Sequence, residues 1–154
     1  MISLTSEYAL RAVVCLGASP GRPVTSRSLA EQTRVPQDYL SKVLQSLSRA
    51  GMVDSQRGLG GGFVLARSLD ELTVLDVINA VDPLKRIEHC PLALAAHQKQ
   101  LCSLHKRLDE GIALIESLFG GTTIAELLAE PNPSRPLCEA VGQISGAKLH
   151  RRAD

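Results

Sequence analysis

The chain has 154 residues, 44% apolar and 21% charged, with four cysteines and a net charge of +1. It has no apolar run of about 18 residues and no basic-then-apolar leader, so the sequence predicts a cytoplasmic globular protein without a membrane span. Four cysteines in such a chain predict free thiols or metal ligation rather than a disulfide framework. The charge is unevenly spread: residues 1–67 hold eight Lys/Arg against four Asp/Glu, and residues 68–130 hold five against ten. The basic excess therefore falls on the first half, where a polyanion would be met.

Leu4 to Leu16 is helical by spacing, with Leu4, Tyr8, Ala9, Val13 and Leu16 on one face and Glu7 paired with Arg11 on another. The turn Pro20-Gly21-Arg22-Pro23 ends it. Thr25 or Ser26 can cap a short helix reaching Thr33, with Leu29 and Ala30 turned inward. Pro36 suits the first turn of a further helix, in which Tyr39, Leu40, Val43, Leu44 and Leu47 recur at helical steps. Its other face carries Gln37, Asp38, Ser41, Lys42, Gln45 and Arg49, and Gly51 falls where a left-handed residue would stop it. Met52-Val53 and Phe63-Val64-Leu65 are strand-like runs around a loop holding Gly58, Gly60, Gly61 and Gly62. Two short helices followed by a glycine-tipped hairpin outline a winged helix-turn-helix, a motif that lays its second helix in the DNA major groove. The plainer reading of residues 26–50 is an ordinary helical hairpin, and the glycine loop behind it weighs against that.

Thr73 opens a helix over Val74 to Val81, closed by Asp82-Pro83. Beyond an irregular stretch around Cys90, Leu101, Leu104, Leu108, Ile115 and Leu118 recur at steps of three, four, seven and three, with Gly111 in the remaining heptad slot. Such a stripe on a long helix suits a partner helix, hence a homodimer, or packing on its own domain. Thr123-x-x-Glu126 is a capping box before a closing helix. The expected fold is mainly α with a small β-wing: a winged helix-turn-helix DNA-binding domain over 1–82 and a sensor loop over 83–102. A dimerisation helix and closing helix follow over 103–130, and a tail over 131–154.

In that order the pieces resemble the Rrf-two family of bacterial winged-helix transcriptional regulators, the family of the iron–sulfur cluster regulator IscR, the nitric-oxide-sensing repressor NsrR and the cysteine-metabolism repressor CymR. The resemblance runs from residue 1 to about 130. It is carried by LTSEYALRA, LAEQTRVPQDYLSKVLQSLSRAGMVDSQRGLGGGFVLAR, TVLDVINAVD and TTIAELL. It implies that the protein is not an enzyme and that its partners are a double-stranded DNA operator and a second copy of itself. The implied DNA-binding residues are Ser28, Gln37, Asp38, Ser41, Lys42, Arg57, Gly58, Gly60 and Gly61. Polar groups at the helix start would meet base edges, and Arg57 on the wing would enter the minor groove. The glycines would let the hairpin approach the DNA backbone.

Cluster-bearing members carry three cysteines before the dimerisation helix. This chain has Cys90 and Cys102, with Ala96 at the midpoint and His89, His97 and His105 nearby. His105 matches a position where the family uses histidine, and Glu7 matches an acidic residue supplied across the dimer. An iron–sulfur cluster held by Cys90, Cys102, His105 and Glu7 is one expectation. Zinc, a thiol switch near Lys99 and Lys106, and control by a partner protein without a cofactor are the others. Cys15 reads as a small core residue and Cys138 as a spare thiol. A different class, a winged helix used for protein interaction, is set against the DNA reading by its salt dependence.

Overall fold

A computed structural model of the chain describes residues 2–90 and 100–131. The elements run α1 (Leu4–Gly17), α2 (Ser26–Thr33), α3 (Gln37–Arg49), β1 (Val53–Gln56), β2 (Gly62–Leu65), α4 (Val74–Val81), α5 (Ser103–Gly120) and α6 (Ile124–Ala129). This is the winged-helix architecture, mostly helical with one two-stranded antiparallel sheet among the described residues.

α1 is the central helix, starting at the Ser3 cap and burying Ala9, Ala12, Val13, Val14 and Leu16 almost completely. Leu4 lies outside this core at 59% exposure, contrary to the face assigned from spacing. It is the first residue of α1, with no preceding turn of the helix to pack beside it. Leu29 from α2, the Leu40, Val43, Leu44 and Leu47 stripe of α3, and Val77 and Ile78 from α4 close on α1 in one cluster. Burial of each large side chain in such a cluster is worth about 1.5–3 kcal/mol, and most stability of these short helices comes from it rather than from propensity.

Backbone chemistry fixes the turn between α2 and α3. Thr25 caps α2, and at its other end Arg34 adopts φ 54°, ψ 38°. That left-handed residue lets the Val35 N–H donate to the Ala30 carbonyl at 3.2 Å and tucks Val35 into the core. From α1, Arg11 Nη1 donates to the Thr33 carbonyl at 3.3 Å, while its other nitrogen pairs with Glu7. Gly51 (φ 69°) ends α3, as the glycine position implies. The hairpin then pairs Val53 with Leu65 and Gln56 with Gly62. Val24 adds a bridge to Phe63, donating and accepting at 3.0 and 2.8 Å.

The chain closes on itself through two facing capping boxes, Thr73/Asp76 on α4 and Thr123/Glu126 on α6. Thr73 and Thr123 form a β-bridge, the Ile124 N–H donates to the Leu72 carbonyl at 2.8 Å, and Ile124 is fully buried in the α1–α4 core. α5 departs from this pattern, for none of its residues is buried.

Candidate nucleic-acid interface and sensor segment

The amphipathic spacing of α3 turns its start outward. Gln37, Asp38, Ser41 and Lys42 are all exposed, while Leu40, Val43 and Leu44 beneath them are buried. The Ser41 hydroxyl donates to the Gln37 carbonyl at 2.9 Å, which leaves its lone pairs directed outward as acceptors. Lys42 Nζ lies 5.8 Å from the centre of the Tyr39 ring. Tyr39 itself is 59% exposed, set edge-on to Tyr8 with ring centres 6.4 Å apart. Spacing placed Tyr39 inside; its polar tip and its position at the rim of the stripe put it on the outer face instead. It shares the exposed face of α3 with the polar groups, a placement that periodicity hides because a ring counts as apolar in any helical template.

Ser28 on α2 is half-buried, its amide bonded to Thr25 Oγ1 at 3.2 Å and its hydroxyl accepting from Gln32 Nε2 at 2.9 Å. Arg57 is exposed at the end of β1, and Gly58 and Gly60 follow with φ of 105° and 81°. Two wing glycines have reasons inside the fold. A Cβ at Gly61 would come within 2.3 Å of the Gln56 carbonyl oxygen, and one at Gly62 within 2.5 Å of that of Val24. Gly61 is thus required by the hairpin turn itself, and Gly62 by the crossing with Val24.

The second cluster of candidate residues is divided. Cys102 caps α5 without a side-chain capping bond, and its Sγ lies 3.3 Å from His105 Nδ1. Cys90 is buried at the end of the preceding segment. Glu7 is engaged with Arg11 on α1. Among the described residues no group of three or more His, Cys, Asp or Glu is assembled that could hold a metal ion. The chain's own described side chains therefore supply a thiol–imidazole pair and not a four-ligand set. Ala96, His97, Lys99 and Cys138 lie outside the described residues. Cys15 is buried within α1, as its apolar surroundings imply.

A feature that the sequence did not signal joins the segment after α4 to α5. Arg86 forms a fork on Asp109, Nε to Oδ1 at 2.7 Å and Nη2 to Oδ2 at 2.5 Å, with Glu116 3.5 Å from Nη1. The Ile87 N–H adds a bond to Asp109 Oδ1 at 2.8 Å. The Arg86 guanidinium, helped by that amide, holds the Asp109 carboxyl down at about 2, and the carboxylates raise Arg86 in turn.

Comparison with known proteins agrees with this geometry. The model of the Rrf2 family, described as iron-dependent transcriptional regulators, matches residues 2–130. The chain belongs to the Rrf2 family. A protein of Aquifex aeolicus (strain VF5), named as an HTH-type transcriptional regulator, is 32% identical over 131 residues, covering 83% of this chain and 91% of its own. The structure of CymR, the global cysteine regulator of B. subtilis, superposes with a TM-score of 0.67 at 25% identity, covering 82% of this chain and 95% of that one. IscR of T. potens does so with a TM-score of 0.68 at 25% identity, over 83% and 85%. This Rrf2 chain is a winged-helix transcriptional regulator, a DNA-binding protein and not an enzyme. No helix among its described residues is long and apolar enough to cross a membrane.

Proposed function

We propose that the protein acts as a homodimer on a double-stranded operator, with α3 in the major groove and the wing in the adjacent minor groove. The observation that carries this is the exposed start of α3, where Gln37, Asp38, Ser41 and Lys42 stand over a buried leucine stripe. Amide and hydroxyl groups meet adenine edges, Asp38 accepts from cytosine N4, and Lys42 reaches guanine or a phosphate. Arg57 enters the minor groove, where a narrow groove concentrates negative potential. Ser28 sits on the first helix of the motif, which crosses the phosphate backbone. Gly58 and Gly60 supply the positive φ that keeps the wing tip thin, while Gly61 holds the turn.

The pairing surface is the outer stripe of α5. Leu104, Leu108, Ile115 and Leu118 are exposed and follow the heptad spacing through Gly111. A second copy covers them and sets two reading heads at the half-site spacing of about 34–36 Å. Residues 1–82 then read, 83–102 sense, 103–130 pair and close, and 131–154 form the tail.

The input is read at the Cys90–His105 segment. Cys102 and His105 are poised together, and Cys90 and Glu7 of the same chain are not grouped with them. A cluster would take its remaining ligands from Cys90 and from the Glu7 side chain of the second copy, whereas a thiol switch would join Cys102 to Cys90 as a disulfide, two electrons and two protons passing to an oxidant. Whichever signal acts changes operator affinity by the difference in its binding to the two states.

The deciding experiment is a gel-shift titration of Arg57→Ala, which is expected to weaken operator binding by about 1–3 kcal/mol. Unchanged affinity removes the wing assignment. Visible absorption with iron and sulfide analysis of anaerobically prepared protein decides the input: colourless, iron-free protein removes the cluster.

A further inference from the structure

Most of the exposed large apolar side chains among the described residues lie at the start of α1 and along α5; two, Tyr39 and Leu59, stand on the reading face. Leu59 is the extreme, at 112% exposure. The tip that carries it is nevertheless firmly built. The Gly61 N–H donates to the Gly58 carbonyl at 2.9 Å, closing a four-residue turn with Leu59 in second position. Gly60 in third position has φ 81°, as a type II turn requires. Behind the turn the strands are in register down to Gln56 and Gly62, and Gly61 is packed on the Gln56 carbonyl.

A polar residue would serve such a turn as well as leucine does, and leucine here adds nothing to the core. Proteins that enter the minor groove use apolar side chains of this kind as wedges, beside arginines that read the groove. The wedge partly unstacks one base step, and the cost depends on the step: pyrimidine–purine steps yield most readily. We propose that Leu59 is a shape-reading residue, which presses between base pairs next to the Arg57 contact and so requires a deformable pyrimidine–purine step at that place in the operator. This rests on the DNA reading of the wing given above.

The test uses duplexes enriched by the full-length protein from a randomised pool. At the wing position the step is exchanged for a stiff A-tract step, and 2-aminopurine placed there reports unstacking. The wild-type protein is expected to lose about tenfold in affinity on the exchange, comparable with one mismatched base pair, and to raise the fluorescence of the deformable duplex. Leu59→Ser should bind both duplexes equally and leave the fluorescence unchanged. Leu59→Pro, which suits the second turn position and keeps an apolar tip, should retain the wild-type preference. A Leu59→Ser protein that keeps both the preference and the fluorescence rise overturns the inference and leaves the DNA reading standing. If no duplex is enriched at all, the DNA reading itself fails, and the wedge with it.

Discussion

The head formed by α1–α4 and the wing, and the arm formed by α5, handle apolar surface in opposite ways. In the head, leucines and valines from four helices share one core and the outer faces are polar. In the arm no residue is buried, Leu114 is 73% exposed and Leu118 65%. The head draws its folding energy from that core, completed by Ile124; the arm is held along its length by Arg86, which grips Asp109 and Glu116, and beyond its end by α6. The difference teaches that the arm's sequence answers to something outside one chain's core, which is the physical basis for reading it as a pairing surface.

The comparison is broken most severely by damaging the head. Leu47→Ala, at a fully buried site, is expected to cost about 2–5 kcal/mol of stability, read from the midpoint of urea denaturation. A value within experimental error of zero would mean the core is not where the packing puts it. Leu108→Lys combined with Ile115→Lys should instead convert dimer to monomer in sedimentation equilibrium, with the head's far-ultraviolet dichroism unchanged. A persistent dimer would deny the arm its assigned role. Smaller effects test where the head ends. Thr73→Ala and Thr123→Ala each remove a capping hydroxyl and should each lower stability by about 0.5–2 kcal/mol, with non-additive losses in the double variant because the two residues share a bridge. Strict additivity would separate α6 from the head.

The smallest effect concerns the Arg86–Asp109 fork, which is exposed enough to be screened. Asp109 titrates near 2 in the folded chain because Arg86 and the Ile87 amide favour its charged form. Its contribution is therefore complete above about pH 4, the range of an unfolded aspartate, and is lost as pH falls toward 2. Asp109→Asn should lie below the wild type in stability at neutral pH and converge with it in acid. A gap that widens on acidification would invert this account.

The head was largely legible because its signals are local. The Thr73 and Thr123 boxes, Gly51 as a left-handed stop and the leucine steps of α3 each depend on residues within a turn or two. Tyr39 and Leu4 were misplaced for the same reason: a helical template assigns a face but does not know where the neighbouring helices end. The Arg86–Asp109 fork joins residues 23 apart, and no spacing rule predicts such a contact. For Gly61 the resemblance implies clearance for DNA, and folding adds a steric need at the hairpin's own Gln56 carbonyl, a distance that exists only once the turn is folded. Of the cofactor ligands, the family resemblance implies four residues; the fold brings Cys102 to His105 and engages Glu7 with Arg11.

The bridge between Thr73 and Thr123 bears on how this molecule can be cut. A fragment ending at the close of α4 would carry the whole reading motif, yet the slot filled by Ile124 would gape and the Leu72 carbonyl would lose its donor. The shortest self-sufficient piece thus has to reach past residue 124, taking α5 with it, so the head and the proposed pairing surface come together rather than as detachable modules.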